Sequence, residues 1–430
     1  MSSAKENFTR VLGLTHVTAS GVGVIIGAGI YILIGPATEK AGGLVWASML
    51  LASALCALTA FSYMELTSMF PRAGSEHEFA RQVFPQWVAF TTGWGMAIAL
   101  IVASGAVSLG FARYLQEFVD INEHISSLLL LACVCIVSLS GMQNARWLVI
   151  VLSSIQVAGL AIVVIVGAHH IGDVNLMEGN GFGGVLAGAS IIFFAYIGFD
   201  EVITLAEETH DPHRTVPRAL ILALGISTVL YVLVSIVAVS VLGPTALAMS
   251  TQPLTDVMRE AIGGVSVKII AAVALATTAN TTLLATTAAS RMMYSMGSTG
   301  VIPRFFGEVH DNRTPRAATI AVASGAGVLS VIGGLSLLAA ATNALIYLMF
   351  LVVNVVVIML RKQQPDASRP FKISWSIGWV PVIPCIGIIA TIAMSRELEV
   401  TPVIAATALL AVGLALFFIT NVVRGKATTE

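Results

Sequence analysis

GVGVIIGAGIYILIGPATEKAGG, residues Gly21–Gly43, opens the apolar part of the chain and decides how the rest is read. It belongs to the first stretch long enough to cross a bilayer, yet glycines stand at positions 21, 23, 27 and 29. Each glycine costs roughly 1 kcal/mol in a helix interior relative to alanine. Two explanations suit a membrane helix. Small residues four apart, as Gly23 and Gly27 are, let helix backbones approach closely. Alternatively the helix is unwound here, and non-helical backbone survives at membrane depth only where protein buries it or a polar cavity is lined by it.

Membrane crossing itself follows from composition. The chain is 57% apolar and 10% charged, against roughly 25% charged for an ordinary soluble domain. Its apolar residues fall in blocks of about 18 or more, the length that crosses roughly 30 Å of hydrocarbon. The N-terminus, MSSAKENFTR, offers no short apolar region followed by a cleavage site, so the first span is expected to direct insertion. Cys56, Cys133, Cys135 and Cys385 all lie within apolar runs and read as small packing residues. His169, His170, His210 and His213 read as surface histidines.

Charge, proline and glycine breaks give about twelve spans. They are Leu12–Ile34, Leu44–Met69, Trp87–Tyr114, Ile125–Leu139, Leu148–Ala168 and Phe182–Ala206. The second half continues with Ala219–Leu242, Val265–Met296, Ala318–Ile332, Leu338–Leu360, Trp379–Met394 and Thr401–Val423. With the N-terminus inside, 17 of the 22 Lys and Arg residues fall on inside segments and 5 on outside ends. That asymmetry predicts a multi-pass protein of the cell membrane with both termini cytoplasmic.

The unwinding explanation makes a demand elsewhere in the chain. Many membrane carriers place broken helices at matching positions of two inverted halves. Span six reads GASIIFFAYIGFDEVITLAEE, Gly188–Glu208, with Gly198 in mid-span and Asp200 and Glu201 directly after it. Adjacent carboxylates inside a span are costly and usually face a cavity or a partner. The expected fold is therefore an all-α polytopic membrane protein whose helices one and six are broken. Spans one to five (12–168) and six to ten (182–360) form a five-plus-five inverted repeat. Spans eleven and twelve (361–423) are additions, flanked by cytoplasmic tails at 1–11 and 424–430.

Four stretches carry a resemblance. VGVIIGAGIYIL (22–33), SYMELTSMFPRAGSEHEFARQVFP (62–85), FFAYIGFDEVITLAEETHDPHRTVPRAL (193–220) and ASRMMYSMGSTGVIPRFFGEVH (289–310) resemble the amino acid–polyamine–organocation superfamily of permeases. The likeness is closest to cationic amino acid transporter-like and prokaryotic amino acid permeases, which share the leucine-transporter fold. It implies a secondary carrier that moves amino acids by alternating access. A polyamine or other organic-amine carrier, or a sensor that binds without transporting, has the same signature.

The resemblance also implies a site. The substrate carboxylate would meet the N–H groups of Ala28 and Gly29, with Gly27 permitting close approach. The ammonium would meet the carbonyls of Ile25 and Ile197 and, with them, Phe194. The Phe194 ring also matches the aromatic position that closes over substrate. Gly198, Asp200, Glu201, Ala103, Ser104, Asn280, Thr281 and Ala285 would line the side-chain pocket. Few of these are charged, which favours a small or medium neutral amino acid, while Glu201 keeps a cationic one open.

In many relatives a span-five lysine takes the place of a sodium ion, and here that position is Gln156. Glutamine does not titrate, but it can hydrogen-bond the unwound part of span one. Substrate exchange remains open. So does sodium symport through span-one carbonyls with Thr281 or its neighbour Thr282, and so does protonation at Asp200, Glu201 or Glu65. Sodium ion or proton is thus the only cofactor-like species expected; metal sites and nucleic-acid partners are not. No GxxxxGK[ST] loop, Ser/His/Asp or HExxH arrangement, or repeated filter is present, which argues against a pump, an enzyme and a channel.

Overall fold

The computed structural model describes residues 12–70, 75–140, 142–199, 209–309 and 314–427. Asp200 and Glu201 lie outside them. The chain is almost entirely helical. The first half runs α1 (Leu14–Ile25), α2 (Gly29–Ala41), α3 (Val45–Met69), α4 (Ser75–Arg81), α5 (Gln86–Leu115), α6 (Glu123–Leu139) and α7 (Met142–Gly167). The second continues with α8 (Gly181–Ile192), a 3₁₀ turn (Phe193–Tyr196), α9 (Pro212–Leu242), α10 (Pro244–Met249), α11 (Pro253–Ile262) and α12 (Val265–Ser298). The last elements are α13 (Arg316–Ile332), α14 (Leu335–Gln363), a hairpin of β1 (Ser376–Ile377) and β2 (Val380–Pro381), α15 (Val382–Ser395) and α16 (Val400–Ala427).

Among the described residues, seven helical stretches are long and apolar enough to cross a membrane, and five shorter apolar helices accompany them. Two of the short ones, Leu14–Ile25 and Gly181–Tyr196, are the pieces left by the breaks in spans one and six. Large apolar side chains such as Trp147, Ile165, Ile389 and Val400 are mostly exposed. That suits a surface solvated by hydrocarbon, where apolar exposure costs nothing.

The expected spans overlap the helices, but some helices run well past the expected ends: α2 to Ala41 rather than Ile34, α7 from Met142 rather than Leu148, and α9 from Pro212 rather than Ala219. The short helices α4, α10 and α11 lie between spans and carried no span signal. Pro253 begins α11, whose strongly two-sided pattern buries Leu254, Val257 and Met258 over the ends of its neighbours. Span eleven was expected from Trp379, but Trp379 sits in a tight hairpin and the helix starts at Val382. Gly378, at φ +63°, provides the turn conformation that ends any helix there.

The long helix α5 is the axis of the molecule: it is almost wholly buried and packs against α12, α14 and α6. Around it α1 packs on α9, and α2 on α8. The two broken spans are also tied at one end, where His210 N–H donates to the carbonyl of Leu12 (2.9 Å). An aromatic cluster holds the second break in place. Phe193 and Phe199 flank it, each with its ring about 5.5 Å from that of Phe350, and Phe199 meets Tyr63 edge-on at 5.6 Å. Such ring pairs contribute about 0.5–1.5 kcal/mol each beyond simple burial.

A second fixed point joins α3 to the end of α14. Glu65, 1% exposed, receives the Arg361 guanidinium in a two-pronged ion pair, Nε–Oε1 at 2.8 Å and Nη2–Oε2 at 2.5 Å. The Ile373 N–H also donates to Glu65 (2.9 Å), and Arg369 approaches it at 3.4 Å. Glu65 therefore has both oxygens engaged by fixed donors.

Candidate functional site

Span one breaks between Ile25 and Gly29. Ile26 leaves helical geometry at ψ 84°, and the Gly27 N–H turns back to the Ile25 carbonyl at 2.8 Å. Span six breaks after the 3₁₀ turn, where Ile197 is extended at ψ 140° and Gly198 takes φ +107°. Only glycine adopts that φ without strain. The two breaks touch. A Cβ built on Gly29 would lie 2.4 Å from the Ala195 Cα, and one on Gly198 would lie 2.9 Å from Val24.

Three of the four opening glycines divide between the two explanations. Gly23 faces Ser153 of α7, where a Cβ would fall 3.1 Å from its neighbour, so it is a packing glycine. Gly27 faces the Thr281 hydroxyl at 3.0 Å, at the break itself. Gly29 lets two backbones meet where a helix of either span, if continuous, would keep them apart.

Between the breaks lies a cavity of about 50 Å³, room for roughly three or four waters. Of the residues named from sequence, Ile25, Gly27, Ala28, Gly29, Phe194, Ile197, Gly198 and Thr281 line it, as do Ala103 and Ala285. Val24, Leu100, Val107, Ala195 and Leu284 complete the wall. Thr281 carries the one polar side chain among these lining residues. Ser104 is not part of the wall: its hydroxyl is buried, donating to the Leu100 carbonyl (2.8 Å) and accepting from Thr286 (3.3 Å). Thr282 turns its hydroxyl to Thr278 of its own helix (2.8 Å). Thr277, Thr278 and Thr287 do the same, so most of the threonine-rich run satisfies itself.

Thr281 is the exception. Its Oγ1 donates to the Thr277 carbonyl (3.0 Å) and accepts from the Ala28 N–H (3.0 Å), reaching across 253 residues of chain. The Ala28 amide, expected to be free, is thus held by a side chain. Gly29 and Ile30, as the first residues of α2, have no intrahelical acceptor for their N–H groups. The positive end of the α2 dipole lies at the same place.

The Ile25 carbonyl is also engaged. It accepts from the Gly27 N–H and from the Tyr231 hydroxyl (2.7 Å), and that hydroxyl also stands 3.0 Å from the Ala195 carbonyl. A hydroxyl has one proton, so Tyr231 serves one break at a time. Tyr231 escaped the sequence reading, although it is the lone aromatic in its span (Ala219–Leu242). A hydroxyl that must find a partner in such a span was the available signal.

Gln156 is fully buried and donates Nε2–H to the Gly23 carbonyl at 2.5 Å, within the last turns of α1. Asn280 donates to Gln156 Oε1 (3.4 Å) and to Ser153 (3.1 Å), and Tyr31 donates to the Gln156 carbonyl (3.1 Å). A ladder of neutral amides thus runs from α12 through α7 to α1.

A polytopic helical chain in which two broken spans enclose a small cavity beside exposed backbone ends defines a membrane transporter. The chain belongs to the amino acid permease family, whose model matches residues 12–420. It is 28% identical to a branched-chain amino acid permease of Bacillus subtilis over 97% of this chain and 94% of that protein. A methylthioribose transporter of the same organism is 30% identical, over 89% of this chain and 87% of its own. A vacuolar cationic amino acid transporter of Arabidopsis thaliana is 30% identical over 84% of this chain and 65% of its length.

Proposed function

We propose that this transporter carries neutral α-amino acids with small or medium aliphatic side chains, by alternating access. The observation that carries the reading is the cavity between the breaks: apolar side chains form its wall, and backbone polar groups of both broken spans stand at its edge. A zwitterion needs a donor set for its carboxylate and an acceptor set for its ammonium. The N–H groups of Gly29 and Ile30 supply the first, aided by the α2 dipole. The carbonyls of Ile25 and Ile197 supply the second. Leu100, Val107 and Leu284 leave an apolar niche for a short aliphatic side chain, and the branched-chain permease named above supports the same substrate class.

Uptake of radiolabelled alanine, valine, leucine, lysine and putrescine into proteoliposomes tests this. Alanine to leucine should be taken up and compete with one another; uptake confined to lysine or putrescine would transfer the site to cationic substrates. Leu284→Ala removes a wall group worth roughly 1–3 kcal/mol of size discrimination. It should move the preference toward larger side chains by about tenfold or more. An unchanged preference order would show that the side chain points elsewhere.

The Ile25 carbonyl becomes available to an ammonium when the Tyr231 proton turns to Ala195. Tyr231→Phe leaves these carbonyls without that donor, at a cost of about 1–3 kcal/mol. The variant should melt below the parent without substrate, and the gap should narrow at saturating substrate, because the ammonium supplies the missing donor. A gap that stays constant would remove Ile25 from the ammonium site.

The coupling reading is part of the same proposal. The Gln156 amide donates where a cation would otherwise satisfy the Gly23 carbonyl, and the Thr281 hydroxyl oxygen already accepts from the Ala28 N–H. These neutral donors favour facilitated transport or exchange over sodium symport. The orientation with both termini cytoplasmic, and the inverted repeat over 12–168 and 182–360, complete the proposal.

A further inference from the structure

The connection from α14 to α15, residues 364–381, carries chemistry that transport does not use. Its hairpin pairs Ser376 with Pro381 and Ile377 with Val380. Residues on a strand alternate faces, and here the alternation is sharp. Ser376 turns inward and accepts from Arg361 (2.6 Å), while Trp375 and Ile377 are 62% and 76% exposed. Trp379 in the turn is half exposed, and Lys362 Nζ stands 5.6 Å from its ring centre. Within residues 361–381 the charges are Arg361, Lys362, Arg369 and Lys372 against the single acid Asp366. Lys362 and Lys372 are exposed.

Charge sets the depth of this hairpin. α15 begins directly after it, at Val382. Arg361, Lys362, Arg369 and Lys372 border it, and such groups are costly in hydrocarbon, so this end of α15 belongs at the headgroup layer. The Val382 N–H donates to the Trp375 carbonyl (3.0 Å), so Trp375 stays level with the first turn of that helix. Tryptophan rings favour this layer, and nearby lysines favour anionic headgroups.

We infer that the 375–381 hairpin is an interfacial anchor that binds acidic phospholipid, with Trp375, Ile377 and Trp379 seated among the headgroups and Lys362 and Lys372 on the phosphate. Its inner side is fastened to α3: Arg361 holds both Ser376 and Glu65, and the Ile373 N–H reaches Glu65 as well. Lipid at the hairpin therefore steadies α3 and α14 together. The inference goes beyond the transport reading and stands whichever amino acid is carried.

Two measurements on the full-length protein test it. In proteoliposomes, the emission lost in Trp375→Phe/Trp379→Phe relative to the parent is that of these two rings. Shallow brominated phosphatidylcholine should quench it and aqueous acrylamide should not; the reverse result overturns the anchor. In detergent, added phosphatidylglycerol should raise the melting temperature more than phosphatidylcholine does. Lys362→Gln/Lys372→Gln should lose at least half of that difference. Equal shifts from both lipids, an undiminished difference in the double variant, or the same shift from inorganic phosphate alone would overturn the lipid assignment.

Discussion

Gly29→Leu is expected to abolish substrate binding while the protein still inserts in the membrane and elutes as a single species. A Cβ at this position falls 2.4 Å from the Cα and 2.9 Å from the N of Ala195. Backbone of the second break cannot rotate away as a side chain could. The breaks must therefore separate, and the two halves of the cavity separate with them. Even Gly29→Ala carries that clash, and overpacking of this kind costs about 1–3 kcal/mol or more. A loss of roughly tenfold or more in affinity is expected from alanine, and no measurable binding from leucine. Gly27→Ala brings its Cβ 3.0 Å from the Thr281 hydroxyl, a side-chain contact that a shift of a few tenths of an ångström relieves, so it should be the milder change. Thermal stabilisation by substrate, compared across the three variants, checks the ranking. Normal affinity in Gly29→Leu would sink the proposed site.

Glu65→Gln should produce the largest loss of stability of any single change in the network that joins α3 to the end of α14. Arg361 and Arg369 both have side chains 5% exposed, and Glu65 is the carboxylate they share. Removing one partner of a buried ion pair costs about 3–5 kcal/mol, because the remaining charge is left uncompensated. Most of the folded, monodisperse protein should be lost on extraction. Glu65→Leu/Arg361→Leu removes the pair instead of half of it and should regain much of that yield, since apolar replacement of a whole pair is often near neutral. If Glu65→Gln melts like the parent, the pair is not what fixes the end of α14 to α3. The same measurement bears on coupling: a Glu65 that must be protonated during transport would tolerate glutamine.

The network also shows what kind of information was hidden in the chain. Glu65 was read from sequence as one of three candidate proton sites, and Arg361 as a topology-setting cytoplasmic residue. They are 296 residues apart, and nothing local pairs them. Thr281 and Ala28 present the same case at 253 residues. Sequence placed both near one cavity through resemblance, but it left the Ala28 amide free, whereas the structure gives that amide to Thr281. Tyr231 was missed because its role depends on two carbonyls from two other spans. Asp200 and Glu201 lie outside the described residues.

By itself the sequence determined that the chain spans a membrane many times, roughly where its apolar spans lie, and where spans one and six are interrupted. Those properties follow from one-dimensional facts. Hydrocarbon requires long apolar runs with internally satisfied backbone; the glycine cluster of span one and Gly198 with the carboxylate pair after it in span six mark where that requirement is relaxed. The tertiary structure decided which exposed backbone groups remain available, which are already held by Gln156, Thr281 and Tyr231, and that Gly29 is where the breaks meet. Those depend on the distance between side chains hundreds of residues apart, a quantity set by helix packing and carried by no single segment.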